Sequence, residues 1–253
     1  MQQAPALPIK VFWQPGCSSC LRTKEFLQKN GVVFESVNVA ADPSGLAELR
    51  ALGARSVPIV SRGTEYTLCQ SMGDVVKFLG LDTVLGDALP PAQLYGKLDH
   101  VLHTAIRLTR QFPADRLREN FRNRNRTLGD TAFHVFRVSE MGLQTGEGQP
   151  LRPEGFGELA PPEWGAPEIA AWGEDVRRRL AAWWAQTDQS LAFTASTYYG
   201  DKCMHEVFER TAWHSAQHTR QLAMMLESHG IVPDRPLTAA DLAGLPVPDD
   251  VWG

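Results

Sequence analysis

Residues 209–225 read ERTAWHSAQHTRQLAMM, and they contain two histidines, His214 and His218, four positions apart. On a helix that turns about 100° per residue, such positions lie on one face, one turn apart. Val207 and Met225 share that face, so the sequence predicts that it points into a core. Two imidazoles placed in this way can bind one metal ion. The alternative is a pair of buried histidines that hydrogen-bond to other side chains.

The composition limits the classes of protein to consider. The chain has 253 residues, enough for two modest domains. A net charge of −4 and a pI of about 6.0 give no reason to expect a nucleic acid or an anionic membrane as partner. The sequence contains no run of about 18 apolar residues, so it predicts no membrane span. The start, MQQAPALP, lacks the features of a signal peptide. We therefore expect a cytoplasmic protein whose four cysteines serve redox or metal chemistry.

A Cys-x-x-Cys pair, Cys17 and Cys20, stands where a predicted strand at 9–13 is followed by a predicted helix. The pattern of residues 8–82 predicts the order βαβαββα, in which such a pair is typical of redox chemistry. The free N–H groups at the start of a helix stabilise a thiolate at Cys17. Half of a structural zinc site is the alternative, but the domain offers no suitably spaced second pair of ligands.

Residues 9–80 resemble a glutaredoxin-type thioredoxin fold. The resemblance rests on WQPGCSSCLRTKEFL, residues 13–27, and on SVPIV, residues 56–60. It implies that Cys17 is the nucleophile and Cys20 the resolving thiol.

The same resemblance implies a thiol-binding site beside the cysteines. Pro58 would be a cis proline that faces them, so Val57 and Pro58 are expected to contact a bound thiol. Asp74 would hold a carboxylate or an amine of that thiol, which is glutathione or another low-molecular-weight thiol. Residues 69–74, CQSMGD, depart from the family because they lack the Gly-Gly pair with which glutaredoxins usually bind glutathione. Cys69 is expected to be a buried structural cysteine, with a third thiol near the active edge as the alternative.

The rest of the chain is predicted to be helical. Residues 83–92, with Pro90 and Pro91, read as a linker. Four periodic stretches between 93 and 229 predict a four-helix bundle whose core can hold a site. Residues 142–165, rich in glycine and proline, predict a long loop, which is unusual unless it covers a site. Residues 230–253 predict an extended tail with one short helical turn.

Three further features of the predicted helical part are candidates for a functional site. His134 lies on the second predicted helix, which begins at a capping box formed by Thr127 and Asp130, and taken alone it is an ordinary buried histidine. Five arginines stand between residues 116 and 126, as a solvated surface or as a site for an anion such as a substrate carboxylate. Arg210 lies one turn before His214, where it would bind an anionic substrate or form a surface salt bridge.

Residues 93–229 resemble the DinB/YfiT-like superfamily of metal-binding four-helix bundles. The matching segments are NRTLGDTAFHVFR, residues 125–137, and AWHSAQHTRQL, residues 212–222. The resemblance implies a three-histidine metal site formed by His134, His214 and His218. Zinc is the first choice of divalent ion, with iron and nickel as alternatives. A homodimer is expected by analogy only.

The predicted fold class is therefore α/β plus all-α. A thioredoxin-fold, glutaredoxin-like domain at 1–82 precedes a linker at 83–92, a DinB-like four-helix bundle at 93–229 and a tail at 230–253. The leading hypothesis is a thiol-dependent metalloenzyme of the S-transferase or isomerase type, whose partners are a small-molecule thiol and its adduct. The second is a thiol–disulfide oxidoreductase with a docking or structural bundle. The third is a metal or redox sensor without turnover.

Overall fold

The computed structural model describes residues 7–253. The chain divides into two compact units. The first runs to Gly86 and also includes Pro248–Gly253, and the second is Asp87–Val247. No helix within the described residues is long and apolar enough to cross a membrane.

A four-stranded mixed sheet forms the centre of the first unit, with strand order β2-β1-β3-β4. β1 pairs in parallel with β2 and antiparallel with β3, and β3 pairs antiparallel with β4. The strands are β1 (Ile9–Trp13), β2 (Glu35–Asn38), β3 (Ile59–Arg62) and β4 (Glu65–Leu68). The helices are α1 (Ser18–Lys29), α2 (Pro43–Ala51) and α3 (Met72–Leu79). The order βαβαββα is the one that the sequence predicts, and it is a thioredoxin fold.

Each face of this sheet covers its own apolar core. Successive residues of a strand point to opposite faces, so Val11 and Phe12 enter different clusters. Val11 packs with Leu27 of α1 and Val75 of α3. Phe12 packs on the other face, where α2 contributes its buried residue Leu49. The two cores hold β1 and α1 in place, and the junction between these elements carries the cysteines.

The last six residues of the chain are part of this first unit. The backbone N–H of Gly16, next to the cysteine pair, donates to the carbonyl of Gly253 over 3.0 Å. The amides of Asp249 and Asp250 donate to the Glu25 carboxylate on α1 over 2.7 and 3.0 Å. The segment therefore lies along α1.

Four long helices pack against one another in the second unit. They are α4 (Pro91–Arg110), α5 (Leu128–Gly146), α6 (Ala166–Trp184) and α7 (Met204–Ser228). α4 and α5 each contact both α6 and α7, so the four helices enclose a common core. The minor elements are the 3-10 turn Glu154–Gly157, the two-residue strands β5 (Thr194–Ala195) and β6 (Lys202–Cys203), and the short helix α8 (Ala239–Leu242).

The capping box at the start of α5 is confirmed. The Thr127 hydroxyl oxygen accepts from the Asp130 N–H over 3.0 Å, and the Asp130 carboxylate accepts from the Thr127 N–H over 3.3 Å. Fixing the first turn in this way sets the phase of the helix and so places His134 on its buried face. α5 extends to Gly146, five residues beyond its expected end, so the loop before α6 is shorter than expected.

Candidate metal centre and thiol site

Cys17 and Cys20 form a disulfide at the start of α1. Cys17 is the N-cap residue, and its sulfur accepts from the Cys20 N–H over 3.2 Å. Cys17 is half-buried, whereas Cys20 is almost fully buried. An incoming thiol or disulfide therefore reaches the first cysteine more easily than the second, which suits Cys17 as nucleophile and Cys20 as resolving thiol.

The other residues expected around the thiol lie just before β3 and in α3. The Val57–Pro58 peptide bond is cis, and the Pro58 carbonyl accepts from the Cys69 N–H over 3.1 Å. This bond ties the segment that leads into α3 to the cis proline. Asp74 lies in the first turn of α3. Cys69 is buried, and burial raises the pKa of its thiol to about 12, so it stays protonated at neutral pH.

His134, His214 and His218 come together inside the helical unit, as the resemblance of residues 93–229 implies. One ring nitrogen of each lies within 4.8 Å of the others, and all three residues are buried. The ring centroids of His134 and His218 are 4.7 Å apart, and those of His134 and His214 are 5.7 Å apart. The Nε2 atoms of His214 and His218 approach to 3.1 Å.

Gln221 fixes the tautomer of His218. Its side-chain oxygen lies 2.7 Å from the His218 Nδ1 atom. Because an amide oxygen only accepts, Nδ1 carries the proton and the His218 Nε2 lone pair points at His214. The sequence reasoning missed Gln221, although its position three residues after His218 on a helix is a signal for such a pair.

All three imidazoles are neutral at pH 7. Burial is the main cause that lowers their pKa values well below 6.5. The cationic side chains of Arg124 and Arg126 lower all three further. Neutral imidazole is the form that binds a metal ion.

The three residues fit a divalent metal ion. Two nitrogens bound to one ion at about 2.0–2.1 Å would be about 2.9–3.4 Å apart, and the His214–His218 spacing of 3.1 Å falls in that range. The Nδ1 atoms of His134 and His214 are buried and have no hydrogen-bond partner within residues 7–253. Three neutral imidazoles, two of them with an unsatisfied ring nitrogen, form a donor set that suits zinc, iron or nickel.

Phe156 covers the histidines from the loop between α5 and α6. Its ring stacks on His214 with centroids 5.9 Å apart and planes 7° apart, and it meets His134 edge-on at 6.3 Å. Residue 156 lies inside the stretch 142–165 that the sequence marks as a covering loop. Sequence reasoning did not single out Phe156, because nothing local distinguishes it from an ordinary loop aromatic.

Arg210 and Arg126 also reach Phe156. The Arg210 guanidinium lies 4.9 Å from the centroid of the Phe156 ring, and Arg126 Nη2 donates to the Phe156 carbonyl over 2.8 Å. Both arginines are buried, so the surface salt bridge considered for Arg210 is wrong, and so is a solvated Arg126. Arg116 and Arg122 are exposed, as the solvated interpretation of this cluster expects.

Strand order, the cis proline and the cysteine pair at the start of α1 define the first unit as a thioredoxin-fold thiol domain. A family model described as Glutaredoxin matches residues 9–66. A glutaredoxin-like 8.6 kDa protein of the rubredoxin operon of Clostridium pasteurianum is 39% identical over 54 residues, which are 21% of this chain and 72% of that protein. The chain therefore belongs to the glutaredoxin family through its N-terminal domain.

Two other relatives match the same part of the chain. The glutaredoxin-like protein NrdH of Salmonella typhimurium is 35% identical over 57 residues, which are 22% of this chain and 70% of that protein. The gene 56 protein of Mycobacterium phage L5 is 36% identical over 58 residues, 22% of this chain and 56% of that protein. These matches confirm the glutaredoxin half of the sequence interpretation.

Proposed function

We propose that the protein is a thiol-dependent metalloenzyme of the S-transferase or isomerase type. Its helical unit would be a DinB-like bundle that binds a divalent ion, zinc first, at His134, His214 and His218. Its glutaredoxin-like unit would handle the low-molecular-weight thiol, glutathione or another, through Cys17 and Cys20. The protein would act in the cytoplasm, as a monomer or a homodimer.

The observation that carries the proposal is the convergence of three neutral histidines in one buried cluster. A divalent ion bound there would favour the thiolate form of a thiol at neutral pH. Two neighbouring residues orient and shield the histidines. Gln221 keeps the His218 lone pair directed at the site, and Phe156 shields two of the imidazoles from water.

The cysteine pair would exchange thiols and disulfides by two balanced steps. The Cys17 thiolate attacks one sulfur of a mixed disulfide of the substrate and releases the other sulfur as a thiol. Cys20 then attacks the Cys17 sulfur, which frees the second thiol and leaves the Cys17–Cys20 disulfide that the structure contains. A low-molecular-weight thiol is the reductant that restores both cysteines.

A pair of variants tests the proposal with two assays. One assay follows transfer of a thiol to 1-chloro-2,4-dinitrobenzene, with glutathione, cysteine and coenzyme A as thiols, and the other follows reduction of hydroxyethyl disulfide. We expect His214→Ala to lower zinc-dependent transfer at least 100-fold and to retain disulfide reduction. Cys17→Ser should retain zinc-dependent transfer and lose disulfide reduction. Transfer by the wild type that does not exceed that of His214→Ala would count against the metalloenzyme.

The second candidate is a thiol–disulfide oxidoreductase whose helical unit only docks a partner or substrate. It is favoured by the Cys17–Cys20 disulfide and by the glutaredoxin match, both of which concern the first unit alone. In that case Cys17→Ser abolishes disulfide reduction, and no histidine variant changes any activity. The two assays above separate the candidates.

A further inference from the structure

Arg126 carries a buried hydrogen-bond donor without an acceptor. The residue is 8% exposed. Its Nη2 atom donates to the Phe156 carbonyl over 2.8 Å, whereas Nη1 has no partner within residues 7–253. Leaving a buried donor unsatisfied destabilises the folded state, and more so when the group is charged. Folded proteins satisfy nearly all such groups, so this one indicates a ligand that the chain does not supply.

Several cationic side chains cluster around Arg126. Burial lowers the pKa of Arg126 to about 10 and that of neighbouring Arg124 to about 9, so both are charged at pH 7. Arg210, also buried, adds a third cation at Phe156. Asp130 is the acid that acts on Arg126. Its carboxylate already accepts from the Thr127 hydroxyl over 2.6 Å and from the Ala160 N–H over 3.0 Å.

These cationic side chains lie beside the three histidines. Arg126 holds the backbone of Phe156, and the ring of Phe156 stacks on His214. Arg210 lies over the same ring, four residues before His214 on α7. A divalent ion at the histidines would add two more positive charges to this region. Buried like charges repel one another, so an anion bound at Arg126 would be favoured there.

We propose that Arg126 binds a carboxylate of the substrate next to the three-histidine centre, so the electrophile or thiol adduct processed there is an organic acid. The inference rests on the proposed function, because it assigns a substrate group to the same pocket. A guanidinium is planar and pairs with a carboxylate through parallel N–H donors. Nη1 is the donor that remains for this purpose, while Nη2 keeps Phe156 in place.

The test measures acetate binding and zinc binding on the same samples of the full chain. Line broadening of [13C]acetate gives the acetate affinity of metal-free protein and of protein with one equivalent of zinc, and elemental analysis gives the zinc content. The variants are Arg126→Gln, Arg126→Lys and His214→Ala. Arg116→Gln is the matched control, because Arg116 is exposed and pairs with Glu119 on the surface.

We expect Arg126→Gln to weaken acetate binding at least tenfold and to keep its zinc. Arg126→Lys should lose less, and Arg116→Gln should stay within twofold of the wild type. His214→Ala should lose zinc and keep acetate binding in the metal-free state. Acetate affinity of Arg126→Gln within twofold of the wild type would overturn the proposal. Acetate binding that disappears in His214→Ala and persists in Arg126→Gln would also overturn it, because the metal would then be the acetate site.

A second readout avoids the risk that Arg126→Gln fails to fold. In wild-type protein labelled with 15N-arginine, acetate should shift the Nε–H resonance that is missing from the Arg126→Lys spectrum. An unshifted Arg126 resonance at saturating acetate would refute the site. If the wild-type protein binds no zinc but still binds acetate through Arg126, the metalloenzyme proposal is refuted and the carboxylate site stands.

Discussion

Replacing Gln221 with leucine removes the acceptor that sets the tautomer of His218. In the wild type, His218 Nδ1 donates to the Gln221 side-chain oxygen over 2.7 Å, and both residues are 1% exposed. In metal-free Gln221→Leu, the proton can move to His218 Nε2 and pair with His214 Nε2, 3.1 Å away. With a divalent ion held at Nε2, His218 would keep its proton on Nδ1, which in this variant has lost the Gln221 acceptor. The cost therefore falls on the metal-bound state.

An unsatisfied buried donor costs about 1–3 kcal/mol, and each 1.4 kcal/mol is about tenfold in affinity. We therefore expect zinc affinity to fall about 10- to 100-fold, as is usual when a partner of a metal-binding histidine is lost. Competition with a chromophoric chelator at pH 7.5 measures this change. Gln144→Leu is the control, because the Gln144 oxygen accepts from Arg137 on α5. Zinc affinity of Gln221→Leu within twofold of the wild type would show the tautomer reasoning to be wrong.

Three further predictions concern packing, pH and thiol reactivity. Gly142→Ala should destabilise the protein by about 1–3 kcal/mol in chemical denaturation, because its Cβ would lie 2.5 Å from the Thr211 Oγ1 atom. Gly96→Ala has open space at its Cβ and should stabilise the protein by up to about 1 kcal/mol. Equal effects of the two substitutions would contradict this reasoning. The free energy of unfolding of metal-free protein should fall as pH falls below about 6.5, by up to about 4 kcal/mol per pH unit, because the unfolded chain takes up three protons that the buried histidines refuse. His134→Gln should remove about a third of that slope, and an unchanged slope would argue against a neutral His134. After reduction, iodoacetamide at pH 7 should label Cys17 of a Cys203→Ser background before Cys69, whose pKa of about 12 keeps it protonated; mass spectrometry that finds Cys69 labelled first would refute this order.

Local sequence patterns predicted the parts of the fold that depend on neighbouring residues. The four-residue spacing of His214 and His218 and the capping box at Thr127 each fix a side-chain direction within one helix. The cysteine pair at a strand–helix junction likewise needs only local order. These patterns did not single out His134, because taken alone it is an ordinary buried histidine. The resemblance to the DinB/YfiT-like bundles implied its place beside the other two histidines, where the structure has it.

The remaining features depend on contacts between distant parts of the chain. Arg126 meets the Phe156 carbonyl across 30 residues of sequence, and a cluster of five arginines does not indicate which one is buried. The attachment of Gly253 to Gly16 joins opposite ends of the described chain. No periodicity or turn signal encodes such a contact, because packing of whole elements decides it.

Elemental analysis of purified wild type, His134→Ala, His214→Ala and His218→Ala under reducing conditions tests the three-histidine centre most directly. A Cys17→Ser/Cys20→Ser variant excludes metal bound at the cysteines. We expect about one zinc, iron or nickel ion per chain in the wild type and in the double cysteine variant, and loss of that ion in each histidine variant. A wild type that carries no metal and takes up none on titration, or a metal that the cysteine variant loses and the histidine variants keep, would contradict it.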